Sequence, residues 1–139
     1  MLAYLERREE QWTQQWLQAE VRRRAVEPRE RLLAIFDVFD EWFQQTGFEG
    51  CSFINVMLEA ADDRGRIYRA SVAYLTAIRS FLEALAREAG IAEPEGFARK
   101  WHILMKGSIV AAGEGDLEAA KRAQEMGRLV LSDELAVAS

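Results

Sequence analysis

Apolar residues along the chain recur at intervals of three and four, and no stretch keeps a strict apolar-polar alternation for long. Both prolines and most glycines fall between these runs, so the pattern predicts helices separated by tight turns. From Leu2 to about Arg24, Leu5, Trp12, Trp16 and Ala19 share one face, while Glu6, Glu10, Arg22 and Arg24 keep to the others. Pro28 suits the first position of a second helix running to about Thr46, with Glu27 and Glu30 at the positive end of its dipole and Gly47 as its stop. Leu32, Phe36, Phe39 and Phe43 make one stripe on it and Ile35, Val38 and Trp42 a second beside the first. More than half of that helix must be buried.

Ser52 can cap a short helix from Phe53 to about Ala61, although the alternation of Cys51, Phe53, Asn55 and Met57 also fits a strand. A long helix follows from about Gly65 to Ala89, with Asp62 and Asp63 helping to start it. It stops at Gly90, where Ile91 is placed for the apolar contact of a Schellman cap. Pro94 opens another helix, to Ala112, whose Phe97, Trp101, Ile103, Leu104, Met105, Ile109 and Val110 point in all directions and predict burial on every side. Asp116 can cap a last helix to about Leu131, and 132–139 reads as a fraying tail. The expected fold is all-α, one helical bundle of about six helices over 1–131.

Composition narrows the possible roles. A chain of 139 residues, half of them apolar and 29% charged, fits one globular domain with one core. No apolar run approaches the roughly 18 residues that cross a bilayer, so a membrane role is not expected. The formal charge of −5 argues against holding a phosphate backbone unaided, since Lys and Arg dominate nucleic-acid affinity. The lone cysteine, Cys51, excludes an internal disulfide and a cysteine zinc site. The first residues lack the basic-then-apolar order of a signal peptide, and the cytoplasm is the expected location.

Several segments together carry a resemblance. Pro28-x-x-Arg31-Leu32-Leu33-x-x-Phe36-Asp37, then Trp42-Phe43, Phe48-x-Gly50-Cys51-x-Phe53-x-Asn55-x-x-x-Glu59, Gly90-Ile91 and Gly107-Ser108 resemble the C-terminal effector-binding and dimerisation domain of TetR-family transcriptional regulators. The likeness covers about Val26 to Leu131, and the segment from Gly50 to Glu59 is its most specific part. It implies a bundle splayed around a mostly apolar cavity, homodimerisation, and DNA contact only through a helix-turn-helix domain that precedes this one in the family. That domain is absent from these residues, whose start corresponds to the connecting helix.

The chain has fourteen aromatic residues, and several lie on inward stripes. Trp16, Phe39, Phe43, Phe53, Tyr74 and Trp101, with Met57, Ile78 and Met105, read either as packed core or, as the resemblance implies, as walls of a pocket for a small apolar or aromatic effector. His102, the only histidine, is read as a hydrogen-bonding group at the pocket edge, because no serine, cysteine or ligand set is spaced to make it a base or a metal ligand. Asn55 and Glu59 are read as satisfying backbone groups or pairing with an arginine such as Arg66. Cys51 reads as a small buried hydrophobe, and Arg22 to Arg24 as a solvated helix end. No catalytic residue, cofactor or metal is expected.

Small residues on the last two helices, Gly107, Ser108 and Ala111 with Ala119, Ala120, Ala123, Gly127 and Leu131, predict a homodimer in which these helices meet their counterparts as a four-helix bundle. The leading expectation is therefore a ligand-sensing and dimerising domain of a TetR-like repressor. The alternative is a stand-alone helical binding protein or small enzyme using the same cavity.

Overall fold

A computed structural model of the protein describes residues 16–48 and 66–138. Their regular elements are all helices: α1 (Gln18–Arg24), α2 (Pro28–Phe43), α3 (Arg66–Glu88), α4 (Pro94–Gly113) and α5 (Ala119–Ala138). The element expected from Phe53 to Ala61 lies outside the described residues, as do Cys51, Asn55, Glu59, Asp62 and Asp63.

The helix boundaries have local causes. Pro28 and Pro94 each stand in the first turn of their helix, where a missing N–H costs nothing, and each is followed by a glutamate that suits the helix dipole. At the end of α3, Ile91 N–H donates to the Ala86 carbonyl at 3.0 Å and Gly90 N–H to that of Arg87 at 3.1 Å. This is the Schellman pattern; it needs the positive φ of 81° that Gly90 adopts without strain, and Ile91 is buried beneath it. Asp116 caps α5 as expected: its carboxylate accepts from Glu118 N–H at 3.1 Å and holds Arg122 at 3.1 Å.

Two ends differ from expectation. α2 stops at Phe43, ahead of Thr46, and the chain turns through Gly47. α5 continues past Leu131 to Ala138, so 132–138 is helical where a tail was expected. Nothing between Leu131 and Ala138 breaks a helix, and Glu134, which is largely buried, reaches Lys100 of α4 at 3.4 Å.

α2 sits at the centre, against α1, α3, α4 and α5, while α3 packs on α4 and α4 on α5. Leu32, Ile35, Phe36, Val38, Phe39 and Phe43 of α2 are all buried, in line with its double stripe. Each such side chain contributes about 1.5–3 kcal/mol on leaving water. At the head of α2, Arg31 Nε donates to the Ala25 carbonyl at 2.9 Å. Arg24 pairs with both Glu20 and Glu41, which ties α1 to α2.

α4 corrects a further expectation. Phe97, Trp101, Met105 and Ile109 are buried, but Ile103 is 65% exposed and Val110 42%. The helix is not covered on every side, because α2, α3 and α5 occupy only part of its circumference.

Candidate functional site

Four of the aromatic residues assigned by sequence to pocket walls, Trp16, Phe39, Phe43 and Trp101, are joined in one chain of ring contacts. Trp16 meets Trp42 edge-on at 5.8 Å, Trp42 meets Phe39 at 5.5 Å, and Phe39 meets Phe36 at 6.3 Å. Phe36 then meets Trp101 at 5.4 Å, and Trp101 stacks on Phe97 at 5.2 Å. Phe43 joins from the side, 5.7 Å from Phe39. These separations are those of favourable ring pairs, each contributing about 0.5–1.5 kcal/mol beyond the area it buries. Phe39, Phe43, Ile78, Trp101 and Met105 are buried in the main core, with Trp16 and Tyr74 packed against its edge. Phe53 and Met57 lie outside the described residues.

His102 is buried beside this core on α4. Burial first, then the charges of Lys106 and Arg79, push its pKa down from 6.5 to about 3. Lys106 is itself lowered, by burial and then by Arg79 and Arg99. The imidazole is therefore neutral at physiological pH and unsuited to serve there as a cationic contact. Its Nδ1 and the neighbouring Trp101 Nε1 are buried without a hydrogen-bond partner among the described residues. Such groups are costly unless something meets them.

The low pKa has a measurable sign. Above about pH 6.5 the ring is neutral in both the folded and unfolded chain. As the pH falls from there towards 3, the unfolded chain takes up a proton that the folded chain refuses. Stability then falls by up to about 1.4 kcal/mol per pH unit. His102→Leu is expected to remove this component, so its urea midpoint should decline less than that of the native chain between about pH 7 and 5. Parallel declines would mean that the buried ring does not refuse the proton.

The residues expected at a dimer interface divide into two groups. Ala119, Ala120, Ala123 and Leu131 are buried within the chain, and so is Ser108, whose hydroxyl donates to the Met105 carbonyl at 2.7 Å. Gly127 is buried too: a Cβ built on it falls 2.7 Å from Cη2 of Trp101. Its lack of a side chain is accounted for inside the chain by the Trp101 ring. Gly107 is exposed and a Cβ there meets nothing within 4 Å. Sequence reasoning missed the outward residues beside it. Ile103 and Val110 flank Gly107 on α4, with Met126 (49% exposed) and Leu129 (72%) on α5. Between the two helices runs a mostly apolar cavity of 290 Å³, lined by Ile103, Gly107, Ala111, Ala123 and Met126.

Three further cavities open elsewhere on the bundle: 480 Å³ between α1 and α3, 320 Å³ beside Glu27 and Glu88, and 280 Å³ beside Asp37 and Arg128. None of the four is lined by Trp16, Phe39, Phe43, Tyr74, Ile78, Trp101, His102 or Met105.

The fold defines a class. Its helices superpose on the crystal structure of a TetR-family transcriptional regulator from Streptomyces coelicolor with a TM-score of 0.81 and 22% sequence identity, over 96% of this chain. The protein has a TetR-like all-helical fold. The chain spans 65% of the length of that regulator's chain. No protein-family model and no curated protein sequence matches it. No helix among the described residues is long and apolar enough to cross a membrane.

Proposed function

We propose that these residues form the effector-sensing and dimerising part of a TetR-like transcriptional regulator, without catalysis of its own. The observation that carries this reading is the match of the bundle to a TetR-family regulator over 96% of the chain. A small apolar or aromatic effector would act by favouring one relative placement of the helices, through a difference in affinity of about 1–3 kcal/mol between two states. DNA contact would belong to a helix-turn-helix domain outside these residues, and the net charge of −5 fits that division of labour.

Dimerisation is assigned to the outward face of α4 and α5. Ile103, Gly107 and Val110 follow one another at four- and three-residue steps, and Arg122, Met126 and Leu129 repeat that spacing on α5. The pattern gives each helix a stripe that its own chain leaves bare. A second copy would cover both stripes in a two-fold four-helix bundle, burying on the order of 1,200–2,000 Å².

Sedimentation of the chain tests this assembly directly. The native chain is expected to run as a dimer at tens of micromolar, and Ile103→Glu combined with Leu129→Glu as a folded monomer. Both positions are more than half exposed in the single chain, so the charges harm folding little. A native chain of monomer mass would refute the dimer.

A further inference from the structure

α1 and α3 both rest on α2 but make almost no contact with one another. The gap between them is the 480 Å³ cavity. Its presence has a side-chain cause: α3 turns Ala77, Ser80 and Ala84 towards it, and these are too short to reach α1. Val21 of α1 and Leu85 of α3 are buried along it, and Phe81 is half-buried, so its inner surface is apolar.

Some arginines of the bundle sit on a carboxylate, as Arg23 does on Glu20 at 2.7 Å and Arg122 on Asp116 at 3.1 Å. Arg22 and Arg31, which line the cavity from α1 and α2, have no carboxylate of the described residues within ion-pair distance. Arg22 lies 3.5 Å from the Gln18 side-chain oxygen, and Arg31 uses Nε on the Ala25 carbonyl. Glu88, the acidic residue on the wall, pairs with neither. The cavity thus offers two guanidiniums with unused donors above an apolar floor, in a volume ordinary for small-molecule sites.

We propose that this groove is a binding site for an amphipathic carboxylate, an aliphatic or arylaliphatic acid whose chain lies along Val21, Phe81 and Leu85 and whose carboxylate is held by Arg22 and Arg31. A cleft between two helices takes a single free molecule, and a bilayer surface cannot enter it. The site is separate from the aromatic core, and the proposal does not rest on the regulator reading. It holds or fails whether or not the chain dimerises or senses an effector.

Calorimetric titration of the full chain with octanoate, octan-1-ol and octylammonium tests it. Octanoate is expected to bind one per chain, octanol about tenfold more weakly, and octylammonium not at all, because a charge-assisted hydrogen bond distinguishes the three head groups. Arg22→Gln should weaken octanoate about five- to tenfold and leave octanol unchanged. Arg31 is left intact, since it also holds the Ala25 carbonyl at the turn between α1 and α2. Ala84→Phe, at an exposed position on the groove wall, should weaken octanoate and octanol together, with the circular dichroism spectrum of the native chain retained. Absence of octanoate binding would overturn the proposal. Equal octanoate affinity in the native chain, Arg22→Gln and Ala84→Phe would overturn it as well, by placing the ligand elsewhere.

Discussion

Trp101→Ala is expected to cost the chain about 3–5 kcal/mol, the largest loss of any single truncation here. The ring is fully buried, stacked on Phe97 at 5.2 Å and tilted against Phe36 at 5.4 Å, and its far edge lies over Gly127. It thereby touches α2, α4 and α5 at once, and none of these can close the space without losing contacts elsewhere. Urea denaturation at fixed protein concentration measures the effect, fixed because dimerisation would make stability concentration-dependent. A loss below about 1 kcal/mol would show that the neighbours collapse onto the vacancy. A reading of Trp101 as a pocket wall leads instead to a variant with weakened ligand response and an intact fold. The two outcomes separate core from cavity lining.

Gly127→Ala is the second test, and its sign is the informative part. On helix propensity alone the change would stabilise by about 0.8–1 kcal/mol, because glycine in mid-helix is penalised relative to alanine. The added Cβ, however, would lie 2.7 Å from Cη2 of Trp101, 3.1 Å from Cζ3 and 3.3 Å from Cζ2. A rigid ring held by two others cannot swing away as a lysine tip would. Overpacking of this kind costs about 1–3 kcal/mol, so Gly127→Ala is expected to destabilise, and Gly127→Leu more so. Gly107→Ala, with open space around it, should gain about 0.5–1 kcal/mol when measured on the Ile103→Glu, Leu129→Glu background, where no partner intervenes. Combining Gly127→Ala with Trp101→Leu should cost less than the sum of the two, because the smaller side chain yields to the methyl group. A stabilised Gly127→Ala would mean that the ring and the helix are not in contact.

Much of the helical framework was legible because its signals are local. Pro28, Pro94, the Gly90-Ile91 cap and the Asp116 cap each act within one helical turn, so neighbouring residues suffice to place them. The twin stripes of α2 were equally readable, since a period near 3.6 maps directly onto faces of one helix. Where such a signal is missing the reading failed. No residue after Leu131 announces that α5 persists to Ala138, and the tie from Glu134 to Lys100 spans two helices.

The candidate site was less legible. Periodicity brought Phe39, Phe43, Trp101 and Met105 inward, but it does not tell rings that fill a core from rings that wall a cavity. Ring separations of 5–6 Å within and between α2 and α4 bear on that, and only packing sets them. The two arginines of the α1–α3 groove carried no mark in sequence either, because being left without a carboxylate is a fact about positions in space.

From its sequence alone this protein is a helical chain with defined starts, stops and inward faces, since covalent neighbours and helical period determine those. Only the tertiary structure decided that Gly127 belongs to Trp101 while Gly107 stands free, that His102 is buried and neutral, and that Ile103, Val110, Met126 and Leu129 remain bare. The physical reason is the same in each case. These properties depend on how far each helix is rotated and how closely it approaches residues distant in the chain, and that follows from the best joint packing of all the faces.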